Sequence, residues 1–164
     1  MLQGSVEGFL NQVARRGSWI GGGSVAALSA ALSAALLEKL VHQPALVRRL
    51  RRIRRECLAL VQRDASAFAR VIQATRVRDR RAFQRALKAA IEIPVRIFEH
   101  ARTVHAACRE AQRAVSSRFH SDLRCARALA AAAEEASRGF ISTNLAWLGD
   151  RNYARRIRRR IQSA

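Results

Sequence analysis

The stretch Gly21-Gly22-Gly23-Ser24-Val25-Ala26-Ala27-Leu28-Ser29-Ala30-Ala31-Leu32-Ser33-Ala34-Ala35-Leu36-Leu37 decides the fold class. Three glycines interrupt whatever precedes them, and Ser24 then has the chemistry of an N-cap, with a hydroxyl able to accept from a first-turn N–H. From Val25 to Leu37 the chain holds only Val, Ala, Leu and Ser. Ala and Leu are strong helix formers, and the absence of charge predicts a helix buried on most sides. Its small side chains let neighbouring helices approach closely. The apolar run is shorter than the roughly 20 residues a membrane-spanning helix needs, so no membrane partner is expected.

Reading outward, Val6, Phe9, Leu10 and Val13 give one apolar face to a short helix from Ser5 to Arg15, ended by Gly17-Ser18. Gln43-Pro44 closes the Ala-rich helix. A third helix is expected from Pro44 to Arg76, with Leu46, Leu50, Ile53, Cys57, Leu60, Phe68 and Val71 in steps of three or four. Asp64 interrupts that apolar seam. After a turn at Val77–Arg81, a fourth helix spans about Asp79–Val115, where the interior Pro94 predicts a kink or a split. A loop at Ser116–His120 leads to a fifth helix, which starts at Ser121-Asp122 and ends at Leu148-Gly149. A short basic helix from Asp150 to Ile161 follows. No stretch alternates like a strand. The expectation is an all-α, antiparallel multi-helix bundle of about five to six helices, with one long helix kinked near Pro94 and residues 1–164 in one domain.

The 164 residues carry 31 basic and 12 acidic side chains, a formal charge of +19. Lys39 and Lys88 are the only lysines, so arginine supplies nearly all of it. Such a surface favours anionic partners, although an Arg-over-Lys bias also follows from genome base composition. The runs Arg48–Arg55 and Arg155–Arg160 read first as solvated helix faces. Nucleic acid is possible, but aromatic residues make up only 5% of the chain and no nucleic-acid-binding motif accompanies the charge. Trp19 and Trp147 read as packing residues.

Cys57, Cys108 and Cys125 are odd in number and widely spaced, which argues against a disulfide framework or a zinc site. His42, His100, His105 and His120 lack ligand spacing, and no metal is expected. No basic start with an apolar core precedes Glu7, so no signal peptide is expected and the chain reads as cytoplasmic.

Ile20-Gly21-Gly22-Gly23-Ser24-Val25-Ala26-Ala27-Leu28 resembles the Pro-Gly-Gly-Gly-Ser-Val-Ala-Ala signature of the formimidoyltetrahydrofolate cyclodeaminase and methenyltetrahydrofolate cyclohydrolase family. Asp64-Ala65-Ser66-Ala67-Phe68 is similar to its Asp-x-x-Ala-Phe segment. Ala90–Glu99, with Pro94, is similar to its kinked helix, and Ser121-Asp122 to its Ser-Asp segment. The resemblance implies a helical bundle that pairs into homodimers. It also implies a folate one-carbon enzyme, one that cyclises 5-formimidoyltetrahydrofolate with loss of ammonia or hydrolyses 5,10-methenyltetrahydrofolate. No cofactor beyond the tetrahydrofolate substrate is implied.

On that basis Asp64 and Asp122 are the candidate catalytic acids, and Gly21, Gly22, Gly23, Ser24 and Ser121 the candidate folate-binding residues. Free amides at a helix start make an anion site, though a tight turn with an N-cap would explain the glycines equally. Asp64 is open to a second reading as a buried salt bridge, and Asp122 as a first-turn acid favoured by the helix dipole. The alternatives for the whole chain are a diverged, non-catalytic member that binds an anionic ligand, or a basic nucleic-acid-binding bundle.

Overall fold

The computed structural model describes residues 5–163. Six α-helices follow in order among the described residues: α1 (Val6–Ala14), α2 (Gly22–Leu40), α3 (Pro44–Arg76), α4 (Arg80–Glu110), α5 (His120–Leu148) and α6 (Arg151–Ser163). Single 3-10 turns, Ala111–Arg113 and Ser117–Phe119, link α4 to α5. The all-helical class is as expected, and several ends follow local chemistry. Pro44 opens α3, where its fixed φ suits the first helical turn and its missing N–H costs nothing. Ser5 caps α1 by accepting from Gly8 N–H. Gly149 closes α5 in the left-handed conformation, φ 66°, which glycine adopts without strain.

Two local expectations are corrected, and the choice left open at Pro94 is decided. Ser24 is not the N-cap of α2: the helix begins at Gly22 with Gly21 as the cap, and the Ser24 side chain is turned to α3 instead. Acceptors brought by another helix outcompete the local cap. Pro94 does not split α4, which runs from Arg80 to Glu110 as one helix. Ser121 does not start α5 either, because the preceding 3-10 turn delivers the chain one residue earlier, at His120.

The major helices are antiparallel. Along α2 and α5 the contacts run in opposite order: Gly22 meets Phe140, Ser33 Oγ donates to the Ala126 carbonyl at 2.7 Å, and Lys39 pairs with Asp122. Between α2 and α3, Ser24 meets Asp64 while Glu38 meets Arg51 and Arg54. Between α4 and α5, Phe98 meets Arg138 and His105 meets Glu134. Helix α2 packs against α3, α4 and α5 at once. Its Ala26, Ala27, Ala30, Ala31 and Ala34 are almost fully buried, and side chains this small let three helices approach one axis. At 19 residues α2 is longer than the apolar run read from sequence and, by length and composition alone, long enough to cross a membrane.

Two apolar clusters form the core. The larger joins α2 and α3 to one part of α4 and α5. The smaller gathers Val71, Leu87, Ile91, Phe98, Ile141 and Leu145 with Tyr153 and Ile157 of α6. Helix α6 is anchored by Arg160, which donates through two nitrogens to the Glu99 carboxylate and through a third to Glu92 at 2.7 Å. The three cysteines are free. Burial pushes the thiol of Cys57 up to about 12 and that of Cys108 to about 11, so both are packing residues at neutral pH.

Candidate functional site

A cavity of about 250 Å³ opens where the two core clusters part. Its walls are the start of α2 (Gly21, Gly22, Gly23), the preceding Ser18 and Trp19, and one face each of three long helices. Helix α3 supplies Asp64, Ala67, Phe68 and Val71; α4 supplies Leu87, Ala90 and Pro94; α5 supplies Phe140, Asn144 and Trp147. Each set follows helical spacing, so each is one face. Asp64 is the single ionisable residue among these lining residues.

The three glycines have separate reasons. A Cβ on Gly23 would overlap the Asp64 carboxylate, and one on Gly22 would lie 2.6 Å from Phe140 Cζ. Around Gly21 there is open space. Glycine therefore lets a carboxylate from α3 and an aromatic ring from α5 close onto the first turn of α2. The anion position that bare first-turn amides would create is taken by Asp64 itself, which also receives a hydrogen bond from the Ser24 backbone. Gly21, Gly22 and Gly23 line the cavity, and beside them lies an acid seated on the helix N-terminus.

The hydrogen-bond geometry accommodates a neutral Asp64. Ser24 Oγ lies 2.9 Å from Asp64 Oδ2 and 3.0 Å from the Val61 carbonyl oxygen. Its one proton cannot fully serve both acceptors. With Asp64 neutral, the carboxyl donates to Ser24 Oγ and Ser24 donates to Val61, so every proton has a place. Burial raises the Asp64 pKa from its ordinary 3.8, and hydrogen bonds from the Ser24 side chain and backbone oppose the rise without cancelling it.

The polar inventory is completed by α4 and α5. Asn144 brings an amide that both donates and accepts. Pro94 has no N–H, so the Ala90 carbonyl one turn earlier lacks its usual intrahelical donor, and both residues line the cavity. Trp19 and Phe68 meet edge-on, with centroids 6.0 Å apart. These two rings and Trp147 are 45%, 43% and 58% exposed. They form an aromatic rim, not the interior packing expected of the tryptophans.

Ser121 and Asp122 lie elsewhere in the chain. Asp122 pairs with Lys39 Nζ at 3.4 Å in the last turn of α2, whereas Ser24 and Asp64 meet in its first turn. Fifteen helical residues separate the two points, about 22 Å at the α-helical rise. The single cleft expected to hold both acids holds only Asp64. His120, the histidine nearest Asp122 in sequence, is hydrogen-bonded to the Val115 carbonyl at 3.1 Å. No group of three or more His, Cys, Asp or Glu side chains is placed to hold a metal among the described residues. Sequence reasoning did not assign Phe140, Ala90, Asn144 or Trp147 to the site. The available signal was the spacing 140, 144, 147 on one helix face, but nothing local says which face meets a cavity.

The fold and the cavity together define an all-helical bundle with a half-buried acid set beneath an aromatic rim. Residues 5–163 match the family model described as formiminotransferase-cyclodeaminase, and the chain belongs to that family. Formimidoyltransferase-cyclodeaminase of Mus musculus is 34% identical over 122 residues, a match covering 60% of this chain and 23% of that protein. The chain thus spans under a quarter of the mouse relative's length. The crystal structure of formiminotetrahydrofolate cyclodeaminase from Thermotoga maritima superposes with a TM-score of 0.91 at 20% identity, over 98% of this chain and 88% of that one. That likeness shows a shared fold.

Proposed function

We propose that the chain is a folate one-carbon enzyme that cyclises 5-formimidoyltetrahydrofolate to the 5,10-methenyl form with release of ammonia. The observation that carries this reading is Asp64, a half-buried carboxyl held toward its neutral form against Ser24 at the wall of the cavity. In the reaction N10 attacks the carbon of the protonated formimidoyl group, whose terminal nitrogen is NH2+, the C–N bond to that nitrogen breaks, and it leaves as ammonia, the positive charge remaining on the methenyl bridge. Asp64 gives the departing nitrogen a proton, and the proton lost from N10 restores the acid. A positioned acid of this kind typically contributes about 10²–10⁴-fold.

The cavity is smaller than the roughly 300–1,000 Å³ of ordinary ligand pockets. It fits one ring system, with the remainder of the ligand lying over Trp19, Phe68 and Trp147. Incubation of the purified chain with 5-formimidoyltetrahydrofolate tests the reading: methenyl absorbance should rise as ammonia appears. Turnover only of 5,10-methenyltetrahydrofolate would assign hydrolysis instead, and no turnover of either would leave a binding protein.

The Ala90 carbonyl accepts from an N–H of the ligand in this reading. Pro94→Ala restores the intrahelical donor and removes a helix-interior proline. The expected outcome is a protein at least as stable, with KM raised about three- to tenfold, the worth of one hydrogen bond, and little change in kcat. Steady-state kinetics beside a denaturant melt check this.

A second copy of the chain covers the outward face of α2. There Val25 and Leu32 are exposed and Leu28 and Leu36 half-buried, one apolar stripe at helical spacing. Leu32→Glu is expected to yield a monomer by light scattering where the parent is a dimer.

A further inference from the structure

The arginines of α6 do not form one solvated face. Arg160 is held by Glu92 and Glu99, and Arg156 lies over the Tyr153 ring. Arg151, Arg155, Arg158 and Arg159 are left exposed, and none of them forms an ion pair among the described residues. They line one groove of about 750 Å³ between α6 and the end of α5. The one carboxylate lining it, Asp150, is already engaged: Lys88 Nζ is 2.9 Å away, and Tyr153 N–H donates to it. The groove therefore carries four uncompensated guanidinium groups on a chain of net charge +19.

The groove is separate from the cavity. The cavity takes Phe140, Asn144 and Trp147 of α5, while the groove takes Ser142, Leu145, Ala146 and Gly149. At about 100° per residue these sets point to opposite sides of the helix. A ligand seated in the cavity does not extend into the groove through α5, so an occupant of the groove is a separate one.

We infer that the α5–α6 groove binds the phosphate backbone of a nucleic-acid duplex without reading its sequence. Residues 151–159 rise about 12 Å along α6, a mean of about 4 Å between successive guanidinium groups, and one strand of a duplex carries a phosphate per about 3.4 Å of its axis. A helix laid along one strand thus matches the charges about one to one. No aromatic side chain lines the groove, so single-stranded bases find no stacking platform there. A membrane surface fits worse, because the apolar side of α6, Tyr153 and Ile157, is buried in the bundle and offers nothing to insert.

The test titrates the intact chain against a mixed-sequence fluorescent DNA duplex by anisotropy at several salt concentrations. One variant combines Arg151→Gln, Arg155→Gln, Arg158→Gln and Arg159→Gln. A charge-matched control combines Arg48→Gln, Arg49→Gln, Arg55→Gln and Arg63→Gln on the exposed face of α3, and circular dichroism verifies both folds. The parent should lose about a hundredfold in affinity between 50 and 200 mM salt, as about four phosphate contacts imply. The α6 variant should lose most of its binding and flatten the salt slope by about three to four units, while the control stays near the parent. Equal losses in the two variants would reduce the effect to net charge and overturn the inference. So would tighter binding of the single strand, or preferential capture by phosphatidylserine vesicles. None of these outcomes depends on folate turnover, so a failure here and a failure of the proposed reaction are distinguishable.

Discussion

Asp64→Asn is expected to lower turnover by about 10²–10⁴-fold, the range for loss of a positioned acid, while leaving the bundle at least as stable at neutral pH. The two effects have one cause. Folding raises the pKa of Asp64 above 3.8, chiefly by burial, so the folded state prefers the neutral acid. The stability that the neutral form contributes is fully present below the unfolded value and is lost as pH rises through the raised, folded value. Asparagine has nothing to ionise and escapes that loss. A parent melt should therefore decline as pH rises over this interval, and the variant's decline should be smaller. The parent's kcat should also fall as pH climbs past the folded pKa, and this limb should vanish in the variant's residual activity. Asp122→Asn is the contrast. It breaks a half-exposed pair with Lys39, 3.4 Å long, of a kind that contributes about 1 kcal/mol or less. Turnover within about twofold of the parent is expected. A collapse matching that of Asp64→Asn would place Asp122 at a cavity of the partner subunit.

Gly23→Ala carries the second large effect. A methyl at this position falls on the Asp64 carboxylate, with Asp64 Cγ 2.6 Å from the added carbon. Gly23 lies within α2, where alanine is intrinsically favoured over glycine by about 1 kcal/mol. The helix therefore accepts the change and the carboxyl must yield. Asp64 is expected to leave Ser24, regain water and lose much of its pKa rise, with turnover falling at least about tenfold while the melt shifts little. Gly21→Ala is the internal control, since nothing lies within 4 Å of its added carbon, and turnover should be unaffected. Equal losses at Gly21 and Gly23 would mean that the glycines serve the backbone and not the acid.

Helix content and most helix ends could be read locally. Pro44 at the start of α3, the Ser5 cap and Gly149 after α5 act through their own φ or their own hydrogen bonds, which depend on near neighbours in the chain. The periodic seam of α3 likewise exposed Asp64 as an anomaly. The site lies beyond that range. Asp64 reaches Ser24 across forty residues, Phe140 reaches Gly22 across more than a hundred, and the Pro94 turn opens onto the same space only because α4 lies beside α5. The grouping of Asp64 with Asp122 fails for the same reason. Both acids neighbour α2, but the antiparallel order of α2, α3 and α5 places them at its opposite ends.

Local chemistry along the chain was enough to establish an all-helical bundle around an alanine-rich helix, with an acid interrupting the apolar seam of α3. Which glycine admits the acid, which helix faces surround the cavity and which arginines of α6 lack partners depended on packing. Hydrophobic burial chooses the relative rotation of each helix, and a rotation of one residue, about 100°, moves a side chain from cavity to core or solvent.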